Sequence, residues 1–117
     1  MLSIRKEQLQ IFHEKSVENF SDRTYDFLCE EFEDIGKENK SEVIDTIKQL
    51  IEKGNSYQLI TEQQLIIFII TAWLLGKNFD TDFPKANEIL SSSNYSPSDK
   101  VEWLSKWTES LFKALEE

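Results

Sequence analysis

With 117 residues the chain has room for one hydrophobic core, and residues 1–117 read as a single domain rather than two. Hydrophobic residues at 39% and charged residues at 30% exclude a disordered chain, and three Trp, three Tyr and eight Phe supply apolar surface enough to fold without disulfides or metal. The net charge of -9, from 22 acids against 13 bases, repels the phosphates of nucleic acids and the surface of anionic membranes, and leaves a basic protein as the partner that such a surface favours.

Only three Gly and two Pro are present, too few for a loop-rich β protein, so helices are expected. In chain order, the first runs from about Ile4 to about Ile35. Leu9, Phe12, Val17 and Phe20 recur at helical spacing, and Tyr25, Phe27, Leu28, Phe32 and Ile35 continue the pattern. Ser21-Asp22 has the chemistry to cap a second helix, but one long helix bent near Ser21 is the simpler reading. Glu30, Glu31, Glu33, Asp34 and Glu38 crowd its end, where the helix dipole disfavours negative charge. They are either a solvated end or a patch that meets a partner.

A polar linker, 36–40, leads to Ser41, which reads as the N-cap of a helix carrying Val43, Ile44, Ile47, Leu50 and Ile51 inward. Gly54 suits the left-handed position that ends helices. Thr61-Glu62-Gln63-Gln64 is a capping box directly before the apolar run Leu65 to Leu75. The β-branched Ile66, Ile67, Ile69 and Ile70 are compatible with a buried strand. The capping box, the 11-residue length and the stop at Gly76 favour a central helix wrapped by the others. That run is far below the ~20 residues of a membrane span. Residues 77–82 read as a loop, with Asp82 capping a short helix that opens on Pro84 and ends near Leu90. Ser96-Pro97-Ser98-Asp99 supplies cap, first-turn proline and acid for the last helix, where Val101, Leu104, Leu111 and Leu115 share a face widened by Trp103, Trp107 and Phe112. The expected architecture is all-α: a compact bundle of four main helices plus one short helix.

Chemistry is harder to find. His13 and Cys29 are the only residues of their kinds, and sixteen residues along one helix is roughly 24 Å. A continuous helix therefore forbids a Cys–His nucleophile pair. Asp80 and Asp82 are too few for a calcium loop, which needs further ligands and a glycine. No phosphate loop, CxxC or GxSxG occurs. The expectation is a protein with no catalytic residues, no metal and no cofactor. A single cysteine and an N-terminus without an apolar core point to the cytoplasm. Aromatic residues are the stronger signal. Trp103 and Trp107 lie four apart on one helix face, either as core or as anchors for a protein partner.

The chain opens Ile4-Arg5-Lys6-Glu7-Gln8, leads to Phe12 and Phe20, and sets Tyr57 a few residues before the Thr61-Glu62 cap. An apolar helix then ends in Leu75-Gly76, followed by Phe79-Asp80-Thr81-Asp82, Pro84 and Ala86 to Ile89-Leu90. In these features it resembles a family of short helical bacterial proteins encoded beside type VI secretion effector genes, near the spike, its PAAR tip and adaptor proteins. It departs from that pattern at Asn87, where a Trp is common, and in the Ser-rich stretch after Leu90. The resemblance implies an accessory protein that binds a secreted effector, toxin or spike component. Such a protein acts as an adaptor or chaperone, or as an immunity protein that neutralises a cognate toxin.

Overall fold

The structure, a computed structural model, describes the backbone of residues 6–116 and the side-chain surroundings of residues 18–114. The described residues are all-α. Helix α1 spans Lys6–Glu31, a 3₁₀ turn spans Glu33–Lys37, and α2 spans Lys40–Ser56. Then come α3 Glu62–Leu75, α4 Phe79–Asp82, α5 Pro84–Ser91 and α6 Pro97–Glu116. No described helix is long and apolar enough to cross a membrane. The chain divides into two compact units, residues 1–48 and 49–117, with the boundary inside α2.

In the first unit, α1 runs without interruption through Ser21-Asp22, as one long helix. Phe20, Thr24 and Leu28 are buried at i, i+4 and i+8, and Ser21 beside them is buried too. That is the stripe a helix presents to a core. The side chains of Leu9, Phe12 and Val17, and all of Ile4, lie outside the described residues. The helix stops at Glu31 rather than Ile35 because Phe32 turns extended, and Ile35 reaches its buried place from the 3₁₀ turn packed on α1. Helix α2 starts one residue before the expected cap. Asn39, not Ser41, caps it, its Oδ1 accepting from the Glu42 N–H at 3.2 Å.

In the second unit, α3 packs on α6, α4 and α5 form a corner, and α5 also meets α6. Helix α3 begins on the reciprocal capping box of Thr61 and Gln64 and ends at Gly76, whose φ of 109° and ψ of 145° suit only glycine. Leu65, Phe68, Ile69, Thr71 and Ala72 are buried, while Ile66, Ile67, Ile70, Trp73, Leu74 and Leu75 are half-buried, so this helix is not covered on every side. Helix α6 starts as expected, with Ser96 Oγ accepting from the Asp99 N–H at 3.1 Å and Pro97 in first place. Val101 and Leu104 are buried on its inner face, and Leu111 and Phe112 are half-buried. The side chain of Leu115 lies outside the described residues.

Gly54 plays a different part from the one its position suggested. It lies inside α2, and a Cβ there would stand 2.8 Å from Leu65 Cδ2, so the missing side chain lets α2 approach α3. The left-handed residue is Gln58, at φ 72°. Its N–H donates to Asn55 O (2.9 Å) and the Leu59 N–H donates to Gly54 O (2.9 Å), the paired bonds of a Schellman end. Leu59 is then driven into the core. A left-handed residue with a Cβ is strained by about 1 kcal/mol. Gln58→Gly is therefore expected to raise stability by roughly that amount in a urea titration, and Gln58→Ala to leave it nearly unchanged.

Candidate functional site

Two features of the second unit draw polar and aromatic side chains together. The first centres on Asp80. Residues 77–82, expected as a loop, contain the short helix α4, and its turn carries Asp80 inward until it is 2% exposed. Asp80 Oδ1 accepts from Lys53 Nζ at 3.0 Å and Oδ2 accepts from the Tyr57 hydroxyl at 2.6 Å. The Lys53 ammonium also donates to Lys77 O (3.0 Å) and Asn78 Oδ1 (3.4 Å), fastening the last turn of α2 to the start of α4. Asp80 thus serves as the acceptor at the centre of a network that joins α2 to α4. Asp82 is exposed, and Phe83, with no side-chain cap, precedes α5.

Burial pushes the Tyr57 hydroxyl well above the ordinary tyrosine range, and the bond and charge of Asp80 add to the shift. The Asn87 side chain offsets part of it. Because the folded state holds this proton more tightly than the unfolded chain does, its contribution is fully present below about pH 10 and is lost as pH rises further. A stability profile from pH 8 to 12 is expected to fall less steeply in Tyr57→Phe than in the parent.

The second feature is a run of rings from core to surface. Tyr57 and Phe68 lie 6.1 Å apart between centroids, Phe68 and Phe79 5.2 Å, and Phe79 and Trp107 6.4 Å. At its outer end Trp103 stacks on Trp107 at 4.9 Å and 21°, while Phe83 meets Trp107 edge-on at 5.2 Å. Phe68 and Phe79 are fully buried, the two tryptophans are half-buried, and Phe83 is 37% exposed. The i, i+4 spacing of the tryptophans revealed their stacking. Phe83 belongs to the aromatic residues around the central helix and its loops, but its contact with Trp107 depends on the α4–α5 junction, which no local spacing encodes.

The acidic residues Glu30, Glu31, Glu33 and Asp34 belong to the first unit, and all four are exposed. The break at Phe32 changes their electrostatics. Glu30 and Glu31 close α1, but Glu33 and Asp34 open the 3₁₀ turn, an N-terminal position that favours negative charge. Among the described residues they form one ion pair, Asp34 with Lys37 at 3.9 Å.

His13 and Cys29 share the uninterrupted α1, so the separation of roughly 24 Å along its axis stands. The His13 side chain lies outside the described residues. The half-buried Cys29 thiol hydrogen-bonds Tyr25, whose hydroxyl is pushed above its ordinary range first by that bond and then by burial. No trio of His, Cys, Asp or Glu among the described residues is grouped to hold a metal ion. Comparison with family models, with curated proteins and with solved structures finds no match to this chain.

Proposed function

We propose that this chain is a non-enzymatic protein-binding accessory, an adaptor or chaperone of a bacterial type VI secretion effector module acting in the cytoplasm. The observation that supports a binding role is the half-exposed Trp103–Trp107 stack, with exposed Phe83 packed against it. Rigid aromatic surface of this kind supplies large contact area at small entropic cost, and Trp is enriched where interfaces concentrate their energy. Trp103 touches only Trp107 among the ring contacts, whereas Trp107 also leans on Phe79 and Phe83. Trp103 is thus the tryptophan whose removal breaks the fewer ring contacts.

The test is co-purification with the effector and spike proteins encoded beside it. Binding with unaltered toxicity of the effector supports the adaptor, and Trp103→Ala is expected to weaken it about 30-fold. Failure to bind either class of protein would overturn the reading.

The exposed acidic cluster favours a second reading, an immunity protein that covers the active site of a basic toxin. Growth rescued from the neighbouring toxin by co-expression distinguishes it. On that reading, reversing Glu30, Glu31 and Glu33 to Lys should weaken binding sharply and abolish its salt dependence. Unchanged affinity would return the cluster to a solvated end.

A further inference from the structure

Lys100 lies in the first turns of α6, yet its side chain is not on the surface. The residue is 2% exposed, and its ammonium donates to Tyr57 O at 3.0 Å. Among the described residues that carbonyl is its one hydrogen-bond acceptor, and no carboxylate pairs with it. A buried cation without a counter-charge is costly, and one carbonyl satisfies one of its three protons. The remaining two call for an acceptor.

The surroundings are rich in hydroxyl groups, with Gln58 and apolar Leu90 beside them. Lys100 and Tyr57 form part of the wall of a cleft of about 240 Å³, together with Ser56, Ser91, Ser92 and Ser93. Ser92 Oγ accepts from the Asn94 N–H at 3.1 Å, which leaves its proton to donate outward. The hydroxyls of Ser91 and Ser93 make no hydrogen bond to the described residues, and no Asp or Glu lines the cleft. A volume of this size has room for a small anion.

We propose that this cleft is a binding site for a small oxyanion, a phosphate or a carboxylate, whose charge is met by Lys100 and whose oxygens are met by the serine hydroxyls. Charge-assisted bonds from a buried ammonium are the strong kind, and the Ser91–Ser93 run lines the cleft at the end of α5. The cleft includes none of Phe83, Trp103 and Trp107, so the proposal does not rest on the adaptor reading.

The test is an amide NMR titration of the full chain with sodium phosphate and, in a parallel arm, sodium acetate, at ionic strength held constant with sodium chloride. Saturable shifts at residues 91–94 and 57–59 are expected, and the arm that saturates first identifies the anion as phosphate or carboxylate. Lys100→Met should weaken binding at least tenfold. Should that variant not fold, the paired change Ser91→Ala with Ser93→Ala, both at exposed positions, should weaken it several-fold instead. Shifts that stay linear in both arms, or an affinity unchanged in a folded variant, would overturn the proposal.

Discussion

Asp80→Ala is expected to lower stability by roughly 2–4 kcal/mol in a urea titration at pH 7, although it removes a single small side chain. The reason is what the change leaves behind. Lys53 loses the carboxylate 3.0 Å from its ammonium, and the Tyr57 hydroxyl loses the acceptor that pays for its burial. The exposed pairs Lys85–Glu88, Lys106–Glu102 and Lys113–Glu109 set the comparison. Solvent-screened bridges of that kind contribute about 0–1 kcal/mol each. Asp80→Asn keeps an acceptor for Tyr57 but not the charge for Lys53, and should fall between parent and Asp80→Ala. A double-mutant cycle of Asp80→Ala with Tyr57→Phe should show coupling of about 1 kcal/mol or more. An Asp80→Ala variant within 0.5 kcal/mol of the parent would mean that the network is incidental to the fold.

How this network escapes a reading of the sequence is instructive. The signals that the sequence did display are those whose partners lie within one turn: the Thr61–Gln64 box, Ser96 before Pro97, Gly76 after Leu75, and the four-residue spacing of the tryptophans. Each is a local grammar of three or four residues, and each appears in the structure. Asp80 meets partners 23 and 27 residues away, and Lys100 reaches back 43, and no periodicity encodes such distances. Local chemistry also misleads where two residues compete. Asn39 and Ser41 are both good caps, and the helix takes the earlier. Gly54 looks like a helix stop, but its lack of a side chain serves a close approach to Leu65, and the strained turn falls to Gln58. Ordinary hydrophobic patterning placed Phe20 and Leu28 of α1 and Val101 and Leu104 of α6 in the core, but not the buried Ser21, Thr24 and Lys100 beside them. It carried the helix on through Phe32, whose extended backbone instead splits the acidic cluster between two helical ends.

Phe79→Ala is the harsher lesion, expected to cost roughly 3–5 kcal/mol. Phe79 is fully buried at the first position of α4 and carries the ring contacts from Phe68 out to Trp107. Truncation removes the apolar transfer energy of the ring and leaves a cavity beneath the tryptophans. Two signals separate this from a general weakening. Urea titration measures the loss, while near-ultraviolet circular dichroism and tryptophan emission report whether the Trp103–Trp107 stack has lost its support. Phe79→Leu fills most of the space and should recover about half the stability with less change in the spectra. Trp103→Ala should do the reverse, changing the spectra strongly at a small cost in stability, because its ring packs on Trp107 alone among the aromatic contacts. If Phe79→Ala instead costs under 1 kcal/mol with the spectra intact, the stack is held by α6 itself. The division of labour between a buried supporting ring and a half-buried outer pair would then be lost.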